Sequence, residues 1–253
     1  METINLLNEG AVRIVELNRP DALNAINGQM IDELTDAFLD AGADDAVKVM
    51  LLRGVGRAFW AGADLKEMGR LENKPKHTFQ EMTDAIIDFP KPFLVAVHGV
   101  GVGIGATICG LADFALMAED ARLRCPFSAL GLVAEAASTV TFPRLMGRQQ
   151  ASWMLLSAEW MNAHDCFDAG LIGEVTSPDH LFERAMARAN LLAALPASSL
   201  MATKRLMMDP IREQMKEVAV KENKALFALQ GEPANREALR AFAEKRAPDF
   251  TGL

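Results

Sequence analysis

Cysteine is scarce in this chain. The three residues, Cys109, Cys125 and Cys166, are odd in number and widely spaced, with no C-x-x-C pair. That pattern excludes a disulfide framework and gives no zinc-ligand spacing, so no metal is expected. Thiols left reduced fit a cytoplasmic setting. Basic residues are outnumbered, with 26 Lys and Arg against 34 Asp and Glu, for a formal net charge of −8. A nucleic-acid surface would be basic, so nucleic acid is not an expected partner; a local basic site for a phosphorylated ligand stays open. No stretch of roughly 18 uncharged apolar residues exists, and no membrane span is expected. The first residues, "METINLLNEGAVRIVELNRP", carry early charges and do not read as a signal peptide. The last, "DFTGL", are not a peroxisomal address of the SKL type. There is no internal repeat and no low-complexity linker.

What is present is a chain of 253 residues, half of them apolar. That suffices for a sizeable core in one or two domains. "INLLNEGAVRIVELN" alternates about "NEG" and predicts a hairpin. "GQMIDELTDAFLDAGAD" has helical spacing, "VKVMLLRG" reads as a buried strand, and His77 to Asp88 as a helix ending before "PKP". "FLVAVHG" is a second buried strand, "IGATICGLA" a short helix and "DFALMA" a third strand. From about Pro143 helices dominate, over 147–157, 163–169, 179–194, 197–208, 211–229 and 233–246, interrupted by a short strand in "LIGEVT". The pattern implies an α/β core followed by a helical region. A boundary falls at "AALPASS", dividing 1–195 from 196–253.

Glycine stands at 99, 101, 103 and 105 in "HGVGVGIGATICGLAD". Each glycine in regular structure costs roughly 0.5–1 kcal/mol against alanine, so the stretch needs a reason. One reading is a dinucleotide fold. Gly101, Gly103 and Ala106 satisfy G-x-G-x-x-A after a strand, and Glu119 and Asp120 follow at about the distance of a ribose-binding acid. Another is a hole for a carbonyl. A strand running into a helix turns free N–H groups outward at the helix start, and the macrodipole adds partial positive charge there. A second turn of small residues, in "RAFWAGADLKEMGR" (57–70), also follows a strand and could supply a second donor. Tight packing alone would explain either turn singly; two at corresponding positions of successive units favour the carbonyl hole.

Several segments carry a family resemblance: "NRPDALNAIN", "AFWAGADLKEM", "AVHGVGVGIGATICGLADFALM", "FPRLMGRQQASWMLLSAEWMNAHDCFDAGLIGEV" and "AFAEKRAPDF". In order and spacing they resemble the crotonase, or enoyl-CoA hydratase/isomerase, superfamily. The resemblance implies an α/β fold, a spiral of ββα units, with a C-terminal helical trimerisation region. Residues 1–195 would bind acyl-CoA and 196–253 would oligomerise, as a homotrimer or dimer of trimers. It implies an acyl-CoA thioester substrate, with CoA as part of that substrate and no separate cofactor. The thioester oxygen would lie between the backbone N–H groups of Ala63 and Ile104. CoA would run near Ala22, Leu23, Ala61, Asp64 and Leu65, with Arg19 and Lys66 near its phosphates and Phe242 and Lys245 reaching it from the same or a neighbouring subunit.

Hydratases of this family use two glutamates, and the matching places here hold Thr107 and Phe127. One carboxylate remains in the region: Glu135, in "LGLVAEAASTVTFPRLM". An apolar setting would raise its pKa, which suits a general base; a helix-start carboxylate is the plainer alternative. With one carboxylate the sequence resembles the Δ3,Δ2-enoyl-CoA isomerases, in which a proton is moved and no water is added. Hydration, thioester hydrolysis and non-catalytic acyl-CoA binding are the competing readings. Of the remaining residues, His98 reads as structural, Asp113 as a brace for the helix or strand beside it, Asp64 as a helix cap, Trp60 as a pocket or packing residue, and "RLMMDPIREQM" as core or subunit interface.

Overall fold

The opening hairpin forms as its alternation predicts. In the computed structural model, which describes residues 1–64 and 75–253, β1 (Ile4–Glu9) pairs antiparallel with β2 (Val12–Leu17). Asn27 then caps α1 (Gly28–Ala43), its side chain accepting the Met30 N–H at 3.0 Å. Met30, Leu34, Ala37, Phe38 and Ala41 share the helix's buried face. After β3 (Val49–Gly54), a reciprocal capping box between Thr78 and Glu81 starts α2 (Phe79–Asp88). β4 (Phe93–Val97), β5 (Val100–Val102) and α3 (Ile104–Thr107) follow, then β6 (Phe114–Ala118) and β7 (Arg122–Arg124). The remainder is α4 (Ser138–Ser157), β8 (Trp160–Asn162), α5 (Ala163–Asp168), β9 (Glu174–Thr176), α6 (Leu181–Ala193), α7 (Ala197–Leu229) and α8 (Pro233–Glu244).

The strands form two sheets. The larger has the order β1-β2-β3-β4-β6-β9, parallel throughout except for the opening hairpin. β2, β3 and β4 are buried along nearly their whole length. This is why their sequences are continuous apolar runs and not alternations. α6 lies across β2, β3, β4 and β6. The smaller sheet is β5-β7-β8. Two units, β4-β5-α3 and β6-β7-α4, repeat one scheme: the first strand enters the large sheet, the second crosses to the small one, and a helix follows. The architecture is the expected α/β spiral of ββα units with a helical C-terminal region. The glycine stretch lies where the chain crosses from one sheet to the other.

That placement removes the dinucleotide reading. Gly101 lies inside β5, which belongs to a different sheet from β4 and β6, and α3 has only four residues. A dinucleotide crossover needs a full helix returning from the glycine turn to the same sheet. The small-sheet strands β5, β7 and β8 are not legible beforehand, since three residues are too short to show a period. α4 begins nine residues earlier than the predicted 147. It carries Pro143 in its second turn and breaks at Gly147, at φ 71° and ψ 161°. The predicted stop near 208–211 is also absent: α7 runs unbroken through Pro210. Anchors on α2 hold the segment that follows, with Arg212 donating to the Ile87 carbonyl and Lys216 to Asp88 at 2.5 Å each. Tertiary contacts offset the lost backbone bond.

Besides these anchors, two buried charged side chains, Lys204 and Glu222, fasten α7. Lys204, buried, donates to Asp113 at 2.6 Å and to the Lys91 carbonyl at 2.9 Å. Asp113 also accepts the Phe93 N–H at 2.7 Å, so it braces the start of β4 as well as α7. Glu222 reaches the turn before α4. Among the described residues no helix is long and apolar enough to cross a membrane.

Candidate active site

Three backbone segments lie side by side: 22–26, 58–64 and 100–103. Leu23 and Asn24 both adopt left-handed conformations, at φ 52° and 58°. Asparagine tolerates that region, and here the buried Asn24 side chain uses it to reach the neighbouring segment. Its Nδ2 donates to the carbonyls of Val55 and Ala58 at 2.9 Å and of Phe59 at 3.2 Å. The Leu23 carbonyl accepts from the Ala61 N–H. On the other side, the Trp60 N–H donates to Val100 and the Trp60 carbonyl accepts from Val102, pairing Trp60 with Gly101.

Gly62 then reverses the pattern. At φ +85° it turns its carbonyl toward Ile26, whose N–H it accepts at 2.7 Å, and the Asp64 N–H donates back to Ile26. In a trans peptide the C=O and the next N–H point opposite ways. The Ala63 N–H is therefore directed away from 22–26, toward the 100–103 side. A similar argument applies at α3. The Gly103 carbonyl accepts from Ala106 and Thr107 inside the helix, so the Ile104 N–H points outward from its start. Among the described residues neither the Ala63 nor the Ile104 N–H has a hydrogen-bond acceptor.

The glycines divide between two tasks. A Cβ on Gly99, Gly101 or Gly105 would collide with the backbone of Arg57, Gly105 or Trp60 respectively. Those three serve close packing, the plainer of the two sequence readings. Gly103 differs. A Cβ there would meet only the Gly62 Cα and the Glu135 Oε1, each at 3.8 Å. The two turns and the Glu135 carboxylate thus converge on one point.

Glu135 precedes α4 on a turn in which Ala136 and Ala137 both have positive φ, 56° and 58°. Left-handed backbone costs about 1–2 kcal/mol per alanine, so this turn is held against its own preference. The Glu135 carboxylate makes no hydrogen bond among the described residues. Burial, and next the nearby Glu222 carboxylate, push its pKa from 4.5 up to about 8. It is not a cap: α4 has no capping side chain of its own. Glu222 and Asn24 are the residues that sequence reasoning missed. The "DALNAIN" motif marks Asn24; no local signal marks Glu222, whose partners are 83 and 85 residues away.

The other expected site residues take these places. Thr107 is buried and its hydroxyl has no partner among the described residues, and Phe127 is buried. Ala22, Leu23, Ala61 and Asp64 lie within the 22–26 and 58–64 segments just described. Arg19 is no simple solvated cation: its guanidinium pairs with Asp64 at 3.0 Å and donates to the Ala25 carbonyl. Leu65 and Lys66, and the helix that Asp64 would cap, lie outside the described residues. Phe242 and Lys245 are exposed at the end of α8, and no ring or ion-pair partner meets them among the described residues. His98 is structural in its contacts, its Nε2 against the Gly56 carbonyl at 2.9 Å, and burial lowers its pKa. Trp60 is fully buried, packed edge-on against Phe59.

Comparison with known proteins gives one consistent neighbourhood. A family model described as enoyl-CoA hydratase/isomerase matches residues 8–253. The chain is 32% identical to 2,3-dehydroadipyl-CoA hydratase of Escherichia coli, each chain covered in full. It is 34% identical to enoyl-CoA delta isomerase 2 of Rattus norvegicus, over 89% of this chain and 59% of that protein. Among solved structures, an enoyl-CoA hydratase/isomerase from Pseudoalteromonas atlantica superposes with a TM-score of 0.94 at 29% identity, covering 98% of this chain and 100% of the other.

Proposed function

The chain belongs to the enoyl-CoA hydratase/isomerase family, and from that premise we propose that it moves a double bond from Δ3 to Δ2 of an enoyl-CoA. The observation that carries this reading is a single carboxylate. Glu135 stands at the glycine pair from which the Ala63 and Ile104 N–H groups project. The two places where family hydratases carry glutamates hold a buried threonine, Thr107, and a buried phenylalanine, Phe127. One carboxylate can take a proton and return it; activating a water and protonating carbon at once calls for two groups.

In the proposed mechanism the thioester oxygen accepts from the Ala63 and Ile104 N–H groups. Glu135, ionised, removes a proton from C2, and the electron pair moves onto the thioester oxygen as a dienolate. The two N–H groups stabilise that charge, a contribution of about 2.7–4 kcal/mol per donor. The Glu135 carboxylic acid then delivers the proton to C4, and the double bond comes to rest conjugated with the thioester. CoA runs past Ala22, Leu23, Ala61 and Asp64. No cofactor beyond the substrate enters the scheme. The exposed apolar residues Leu206, Met207, Val220 and Phe227 of α7 are read as the subunit interface of a homotrimer or dimer of trimers.

The test mixes purified protein with trans-3-enoyl-CoA substrates of short and long chain and follows conjugated-thioester absorbance. A rise that falls by about 10²–10⁴-fold in Glu135→Gln supports the reading. No rise in either protein, with loss of absorbance from a trans-2-enoyl-CoA, assigns hydration instead, the activity named for the E. coli relative. CoA binding without turnover of either substrate leaves a non-catalytic acyl-CoA binder.

A further inference from the structure

We infer that Glu222 of α7 is a positioning residue for the turn that presents Glu135, so that the docked C-terminal helix sets the geometry of the base. The inference rests on Glu135 being that base. The N-cap position of α4 is Ala137, which has no capping side chain. Glu222 supplies the cap from another helix. Its Oε2 accepts the Ala137 N–H at 2.7 Å, and its Oε1 accepts the Thr139 N–H at 3.0 Å and the Thr139 hydroxyl at 2.6 Å. Glu222 is only 6% exposed. A buried carboxylate is tolerated when donors surround it, and a helix N-terminus adds favourable partial charge. The segment it grips contains the two consecutive left-handed alanines. Without the grip, two amide donors lose their acceptor and the turn can relax toward ordinary backbone, carrying Glu135 off its point.

The same carboxylate acts through space. Among the described residues, the titratable groups that face Glu135 are Glu222 on α7 and Cys125 just beyond β7. Burial keeps the Cys125 thiol neutral. A second carboxylate disfavours ionisation of the first, so Glu222 also helps hold Glu135 in the protonated form.

Two variants separate this role from plain stabilisation. Glu222→Gln keeps the shape and one of the two acceptor oxygens and removes the charge; Glu222→Ala removes the whole grip. The expected result in Glu222→Gln is an acid limb of kcat/KM moved to lower pH. In Glu222→Ala, kcat falls by up to about 10²-fold while KM stays within about twofold. Amide exchange at Ala137 and Thr139 should speed up in Glu222→Ala relative to wild type. A lowered Tm with an unmoved pH profile, or unchanged amide protection, overturns the inference. If Glu135→Gln is as active as wild type, the base assignment fails on its own. The exchange measurement still decides whether Glu222 holds the turn.

Discussion

Replacing Glu135 by Gln should stabilise the protein at high pH while abolishing its chemistry. The folded protein holds the Glu135 proton up to about pH 8, whereas the unfolded chain releases it near 4.5. A carboxyl with a raised folded-state pKa contributes stability that is fully present below about pH 4.5. That contribution declines as pH rises and is gone above about 8. The full rise corresponds to about 5 kcal/mol. Glu135 is only half-buried by surface area, and water recovers part of that, so the expectation is roughly 2–5 kcal/mol. Gln is of nearly the same shape and never ionises, so it escapes the penalty. Wild type and Glu135→Gln should therefore melt together near pH 4.5, and Glu135→Gln should melt higher at pH 9. Each kcal/mol moves Tm by about 2–4 °C in a chain of this size, which puts the gap at pH 9 at about 4 °C or more. Thermal denaturation followed by circular dichroism at the two pH values measures it. A gap that stays constant, or that closes as pH rises, refutes the claim that Glu135 is ionised at a cost in the folded state.

Further measurements bear on other parts of the site. With Glu135 as base, only about a tenth of the enzyme is active at pH 7. So kcat/KM should climb nearly tenfold per pH unit and level off above about 8; a profile flat from pH 5 to 9 removes Glu135 from the rate equation. Gly103→Ala would place a Cβ at φ 56° and ψ −119°, beside Glu135 and Gly62. A loss of about 10²–10³-fold in kcat is expected, the scale of one lost oxyanion donor, and full activity would show that the thioester does not lie there. Asp113→Ala strands the buried Lys204 ammonium and should cost about 3 kcal/mol in urea denaturation. A loss below about 1 kcal/mol would mean that α7 is held mainly by its other contacts.

The class of fold and the two turns were legible in the order of residues. The apolar runs at 49–54, 93–97 and 114–118 read as strands and the periodic stretches among them as helices; that these strands pair in parallel came from the sheet itself. The helices that begin after Asn27 and Thr78 were legible from their apolar spacing; the caps that start them were seen only in the structure. Glu135 was legible as the remaining carboxylate in an apolar stretch. These are local signals, and local chemistry writes them into consecutive residues.

The rest depended on tertiary packing, which joins groups far apart in the chain. It divided the glycines, because Gly99, Gly101 and Gly105 meet the backbone of other residues while Gly103 faces Gly62 and Glu135. It turned the Ala63 N–H outward through a hydrogen bond from Ile26 to Gly62. It carried α7 through Pro210, against the local preference of the backbone, because α2 grips the residues that follow. And it brought Glu222 to a turn 85 residues away. No periodicity in the sequence encodes that meeting. It exists because a helix docked on the core carries its side chains to whatever donors the core leaves unsatisfied.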